Sequence, residues 1–144
     1  KRFGHVSAER VLSGPGLVNL YGALAAVDGR ELQQRPRPAA IAREATTGRD
    51  PLAAETVAMF SGLLGQLGGN LALQFGARGG VFLAGGVIPR LGPAFDRRLF
   101  RRRFEDKGRY REWLAEVGTY LITHKRPAMA GLARYLDGVE STGG

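Results

Sequence analysis

No cysteine occurs among the 144 residues. That absence excludes disulfides, thiolate zinc sites and thiol nucleophiles together. It fits a reducing compartment, so a cytoplasmic location is expected. Histidine is almost as scarce: His5 and His124 lie far apart in sequence. No acidic or histidine cluster has metal-ligand spacing, so no metal site built from the chain's own residues is expected. Long hydrophobic runs are missing as well. The most apolar stretch, residues 57–75, is interrupted by Gln66, Asn70, Gln74 and several glycines, whereas a bilayer span needs ~20 predominantly apolar residues. It reads as a buried helix, and no membrane partner is expected. No charged-then-apolar leader with a small-residue cleavage site opens the chain. The phosphate-loop pattern ending in Gly-Lys-Ser/Thr and the dinucleotide fingerprint are both absent.

What is present describes a globular domain. The hydrophobic fraction is 44%, ordinary for a folded chain, and the length suits one core. Net charge is +8, carried mostly by arginine, which favours an anionic partner and says little about fold. Ser7 is placed to cap a short helix over residues 8–12. Ser13-Gly14-Pro15-Gly16 breaks the chain, and Pro15 opens a second helix through Ala26, ended by Asp28-Gly29. Residues 30–38 hold two prolines and many polar side chains and read as a loop. A helix over residues 38–46 follows, stopped near Gly48. Asp50-Pro51 then gives a capping carboxylate and a first-turn proline for one long helix to Phe75. Phe60, Leu63, Leu64, Leu67 and Leu71 recur at helical spacing and predict its buried face.

Gly62, Gly65 and Gly69 form a second stripe on that helix. Each glycine weakens a helix by up to ~1 kcal/mol against alanine, so close approach of another backbone or a ligand is expected to compensate. Tight packing on a sheet is the plainer of the two readings. Residues 81–84 and 120–123 are short apolar runs that read as buried strands. Helices lie between them, which predicts a β-α-β crossover in a parallel sheet. Phe95 and Leu99 fall out of phase with Phe100 and Phe104, so a break near Leu99 is expected. A last helix over residues 127–136 and a frayed tail at residues 141–144 complete the parse.

Three segments are candidates for chemistry. Gly79-Gly80-Val-Phe-Leu-Ala-Gly85-Gly86 is a strand bounded by paired glycines. Such a strand end lets backbone approach a nucleotide without side-chain obstruction; the same glycines also suit a tight turn with no ligand. Glu9 and His5 lie near the Gly-Pro-Gly break. A carboxylate there can accept two sugar hydroxyls at ~1.5–3 kcal/mol per charge-assisted bond, although a solvent-facing first-turn glutamate is the simpler reading. Arg97, Arg98, Arg101, Arg102 and Arg103 form the sharpest charge run. Read as a solvated helix face it needs no partner. Read as a phosphate-contacting surface it implies nucleic acid, with a strong salt dependence.

The chain also resembles a family. Gly4-His-Val-Ser-Ala-Glu-Arg-Val-Leu-Ser-Gly-Pro-Gly-Leu17 is similar to a segment that bacterial glucokinases carry just past the middle of their chain. Gly68-Gly-Asn-Leu-Ala-Leu73, Gly79-Gly-Val-Phe-Leu-Ala-Gly-Gly86 and Phe104-Glu-Asp-Lys-Gly-Arg109 resemble further blocks of that family in the same order. The resemblance implies an α/β fold, the C-terminal lobe of a ribonuclease-H-like (actin-like ATPase) sugar kinase. Its helices would pack on a partial mixed sheet with a parallel crossover. Residues 1–140 would be the C-terminal part of the large domain and residues 141–144 a flexible tail.

The family transfers the γ-phosphoryl of ATP, bound with Mg2+, to the 6-hydroxyl of glucose. By this resemblance Glu9 matches the glutamate that holds glucose hydroxyls. Gly85 and Gly86 match the adenosine motif, with Gly69 and Asn70 on a helix close to it. The family's Asp-Gly-Gly-Thr phosphate loop, its Asn-Asp pair with the general base and its Glu-Gly-Gly-His motif are not in this sequence. The chain alone is therefore expected to lack turnover. A sheet deprived of its N-terminal neighbours keeps an unpaired edge, which together with the family's habit predicts a homo-oligomer. The competing expectation is a non-catalytic regulatory or interaction module derived from a sugar kinase, as in a fusion with a transcriptional regulator. Nucleic acid is not the expected partner.

Overall fold

The structure is a computed structural model that describes residues 4–124 and 126–140; the expected tail at 141–144 lies outside them. Before the first α-helix, residues 8–10 form a single 3-10 turn, Ala8–Arg10, closed by Arg10 N–H donating to the Ser7 carbonyl at 3.1 Å. The Ser7 hydroxyl caps nothing, because so short a turn leaves few orphan N–H groups to serve. The cap falls instead on the next element. Ser13 Oγ accepts from Gly16 N–H at 3.0 Å and starts α1 (Gly14–Val27), with Pro15 in its first turn. Then come α2 (Pro38–Thr47), ended by a left-handed Gly48, and α3 (Pro51–Phe75), ended by a left-handed Gly76.

Asp50 does two jobs at the α3 entrance. One carboxylate oxygen accepts from Leu52 N–H at 3.0 Å, and the other accepts from the Tyr21 hydroxyl at 2.8 Å. The second bond ties α1 to the start of α3. Burial first, and then this bond, raise the Tyr21 pKa above its ordinary value. Leu17 and Leu20 of α1, Ile41 of α2, and Val57 and Phe60 of α3 meet in one core. Each such side chain contributes ~1.5–3 kcal/mol by leaving water.

Farther along α3 the buried face differs from the expected leucine face. Gly62, Gly65, Gly68, Gly69 and Ala72 are buried, whereas Leu63 and Leu64 are half-buried and Leu71 is exposed. The reason is α5 (Arg97–Glu105), introduced by α4 (Val87–Leu91) and a 3-10 turn, Gly92–Ala94. A Cβ at Gly65 would strike the Phe100 carbonyl oxygen, and one at Gly69 would strike that of Phe104. The glycine stripe thus serves helix-on-helix packing and not the sheet contact expected from sequence. Phe100 and Phe104 fill the rest of the junction.

The helix break comes earlier than Leu99. Asp96 Oδ1 accepts from Leu99 N–H at 2.8 Å and caps α5. Its own N–H donates to the buried Ser61 hydroxyl of α3 at 3.2 Å. Phe95 is extended and precedes the helix, which accounts for the phase fault without a fault inside α5.

After α5 a 3-10 turn, Gly108–Tyr110, leads into α6 (Arg111–Ala115), and two short strands frame this whole stretch: β1 (Val81–Leu83) before it and β2 (Thr119–Leu121) behind. They pair in parallel with Val81 opposite Thr119 and Leu83 opposite Leu121, as the crossover reading requires. The ladder is flanked by Val81 N–H to Gly118 O and Ile122 N–H to Leu83 O, both 2.9 Å. Among the described residues these are the two strands, so the antiparallel member of a mixed sheet is not seen. Phe82 stacks on Tyr120 at 5.1 Å on an exposed face. The last element is α7 (Pro127–Glu140), whose Met129, Leu132, Tyr135 and Leu136 are exposed.

The arginine run divides. Arg97, Arg98, Arg102 and Arg103 are exposed, as a solvated face requires. Arg101 turns inward. Its guanidinium donates to the carbonyls of Val117 at 2.6 Å and of Leu114 and Ala115 at 2.9 Å, and its Nε pairs with Glu105. This one side chain caps the end of α6 and fixes the entry to β2. Among the described residues no helix is long and apolar enough to cross a membrane.

Candidate functional site

The strand β1 delivers the chain to Ala84, Gly85 and Gly86, and α4 starts at Val87. Gly85 has φ +111, which L side chains rarely adopt, and no atom lies within 4 Å of a Cβ placed there. Its glycine is required by backbone conformation, and the space before it is open. Beside the turn lies a pocket of about 230 Å3. Pro15 at the start of α1, Pro38 at the start of α2, and Val87, Arg90 and Leu91 of α4 line it. Its walls are apolar apart from Arg90.

Glu9 sits in the 3-10 turn, exposed. Among the described residues no hydrogen bond or ion pair engages its carboxylate. The turn itself is firmly held. Asn19 Nδ2 donates to Arg10 O at 3.0 Å, and a Cβ on Gly16 would lie 2.5 Å from the Val11 carbonyl. Glycine at 16 therefore lets α1 sit against the backbone of the Glu9 segment. A second cleft of about 220 Å3 opens between this segment and α3, lined by Val11, Leu12, Leu63, Gln66 and Asn70 among others.

The structure groups the expected residues in two places. Asn70, exposed on α3, shares a cleft with the segment that carries Glu9. Gly69, one residue before, is buried against Phe104 and the Lys107 stem. Gly85 and Gly86 lie with the starts of α1 and α4. The first turn of α1 joins the two places: Gly14 and Pro15 line the pocket near Gly86, and Gly16 backs onto Val11. Sequence reading missed Pro15, Pro38 and Arg90 as pocket walls. The prolines announced helix starts, but nothing in their spacing announced that two helix starts converge. His5 is exposed. Tyr21 and Glu44, whose ionisation is shifted, line neither cleft; a bond from Arg43 holds Glu44 below the ordinary carboxylate range. Among the described residues no group of three or more histidine, aspartate or glutamate side chains stands together to hold a metal ion.

With this geometry in place, comparison with known proteins is specific. The family model described as Glucokinase matches residues 1–139. A glucokinase of Chromobacterium violaceum is 50% identical over 135 residues, covering 94% of this chain and 38% of that protein. A glucokinase of Paramagnetospirillum magneticum is 50% identical over 132 residues, covering 92% of this chain and 41% of that protein. The crystal structure of a glucokinase from an Antarctic psychrotroph superposes with TM-score 0.77 at 38% identity, over 85% of this chain and 38% of that one. The chain thus spans about two fifths of the length of these relatives. At this identity and coverage, the chain belongs to the glucokinase family.

Proposed function

We propose that this chain supplies the adenosine-binding wall and one part of the sugar site of an ATP-dependent glucokinase. The reaction is transfer of the γ-phosphoryl of ATP to the 6-hydroxyl of glucose, in the cytoplasm where ATP is held. The observation that carries the reading is the Gly85–Gly86 turn, with its positive φ, its open front and an apolar pocket beside it. Adenosine lies across the turn with its base towards the pocket. Glu9 accepts hydrogen bonds from two glucose hydroxyls. Its unpartnered carboxylate on a pinned turn supports that role, because a fixed acceptor orients a sugar without first giving up another partner. Asn70 presents its carboxamide on the cleft beside that segment, and Gly69 serves by letting α3 lie close on α5. The whole lobe takes the ribonuclease-H-like architecture of actin-like sugar kinases.

Phosphoryl transfer rests on positioning and charge stabilisation. Mg2+ would arrive with ATP and supply charge stabilisation to the transferring phosphoryl; among the described residues no acidic cluster stands to hold it. The Asn-Asp pair that carries the family's general base is not in this sequence, so on this reading the chain alone binds and does not turn over. The Phe82–Tyr120 face and the apolar residues of α7 support self-association into a homo-oligomer; a single-chain mass in sedimentation at micromolar concentration would refute that part.

The test of the main reading is calorimetric titration with a non-hydrolysable ATP analogue, with and without glucose. Saturable one-site binding that Gly85→Val removes is expected, since valine cannot adopt φ +111 without strain. Glu9→Gln should weaken glucose binding and leave nucleotide binding intact. Robust glucose phosphorylation by the chain alone would overturn the division of labour.

A further inference from the structure

Gly86 has φ −92 and ψ −3, a conformation open to any residue. Unlike Gly85, it has no backbone reason to be glycine. What a side chain at that position would meet is the Arg90 guanidinium. A Cβ at Gly86 would lie 3.3 Å from Arg90 Cζ and 3.4 Å from each of Nη1 and Nη2. Near-equal distances to three atoms of the group put that point over the guanidinium plane and not at its edge. One face of the plane rests on Gly86, and Arg90 is exposed and lines the pocket. Among the described residues its side chain makes no ion pair or hydrogen bond.

A guanidinium placed for stability ordinarily finds a carboxylate or, like Arg101, a set of carbonyls. Arg90 has neither. It offers a flat cation with one face free at the border of a pocket otherwise walled by Pro15, Pro38, Val87 and Leu91. A phosphate would call for several converging donors, and a sugar for donors and acceptors together. A flat apolar slot with a single planar cation suits a heteroaromatic base, since bases stack on guanidinium planes.

We infer that Arg90 is a nucleotide-binding residue that stacks its guanidinium on the purine base of the bound nucleotide, with Gly86 kept small so that the plane can lie flat. This inference rests on the reading of the Gly85–Gly86 turn as the adenosine site. It makes Arg90 a determinant of preference for large, polarisable bases over the smaller pyrimidines.

The experiment is titration of wild type, Arg90→Lys, Arg90→Ala and Gly86→Ala with a non-hydrolysable ATP analogue and with ribose 5-triphosphate, which has no base. Thermal melts check that each variant is folded, as an exposed arginine and a permissive φ allow. Arg90→Lys keeps the charge and loses the plane, so affinity for the ATP analogue should fall about five- to tenfold. Arg90→Ala should fall at least as far, and Gly86→Ala should follow by tilting the plane. Ribose 5-triphosphate should bind wild type and Arg90→Lys alike. Full affinity in Arg90→Lys with loss only in Arg90→Ala would make the contact one of charge, and would overturn stacking. Wild-type affinity in all three variants, with Gly85→Val still abolishing binding, would overturn the role of Arg90 and leave the turn as the site. No binding of the analogue by wild type would overturn both.

Discussion

Two glycines one turn apart on α3 should respond to alanine with opposite signs. In a helix interior alanine is favoured over glycine by ~1 kcal/mol, so the intrinsic term is the same for Gly62 and Gly65. Their surroundings are not. A Cβ at Gly62 would meet Arg103 Cγ at 3.6 Å and the Leu99 side chain at 3.7 Å, which is ordinary van der Waals contact. The added methyl also leaves water, so Gly62→Ala should stabilise the chain by about 1–2 kcal/mol. A Cβ at Gly65 would collide with the Phe100 carbonyl oxygen, which belongs to the α5 backbone and cannot rotate away. Relief requires α5 to back off along its length, loosening Phe100 and Phe104 in the core. Overpacking of that kind costs about 1–3 kcal/mol and exceeds the gain in propensity. Urea unfolding followed by circular dichroism should place the midpoint of Gly62→Ala above wild type and that of Gly65→Ala below it. The melting temperatures should differ in the same sense, by roughly 4 °C per kcal/mol. A rise in both variants would refute the close approach of α3 and α5.

Other consequences are as direct. Arg101→Met should destabilise by about 2–3 kcal/mol in urea titration, because the Leu114, Ala115 and Val117 carbonyls lose a charged donor; Arg101→Lys should recover only part, as a point cation cannot serve three carbonyls in a fork. Gly16→Ala should lower the melting temperature by forcing the Val11 carbonyl away, whereas Gly14→Ala, with nothing within 4 Å, should be neutral within about 0.5 kcal/mol. Tyr21 gives a pH signature. Its pKa is raised, chiefly by burial and then by the Asp50 bond, so the protonated form is the one the fold favours. Its contribution is complete below the ordinary tyrosine value near 10 and is lost as pH rises through the elevated value. Stability measured across the alkaline range should therefore fall more steeply for wild type than for Tyr21→Phe; parallel curves would contradict the assignment.

Local signals survived the passage to structure where a single chemical rule governs them. Asp50-Pro51 starts α3, Gly48 closes α2, and the two apolar runs pair as parallel strands. The rule failed at Ser7 because a cap needs a helix long enough to have orphan donors. It failed on the leucine face of α3 because hydrophobicity ranks side chains, and here the backbone of α5 competes for the same face. Leucine cannot yield that space, and glycine can. The break before α5 was visible as a phase fault, but its position depends on the tertiary bond from Asp96 to Ser61. At the candidate site, Gly85 and Gly86 read as one pair in the sequence, whereas in the structure Gly85 has a torsion that requires glycine and Gly86 does not; it lies under Arg90. Arg90 itself was hidden because a lone arginine in a basic chain carries no pattern.

The parallel pairing of β1 and β2 has a consequence for the order in which the chain folds. Parallel neighbours cannot be joined by a hairpin, so Val81 meets Thr119 only after the chain between them has doubled back. Closing that loop is an entropic barrier that three short residue pairs cannot repay while the loop is still open coil. Condensation of α5 on the glycine face of α3 is predicted to shorten the search first. Arg101 then carries the end of α6 to the strand edge. The Gly85–Gly86 turn at the end of β1 is accordingly predicted to form late, after the helices have packed.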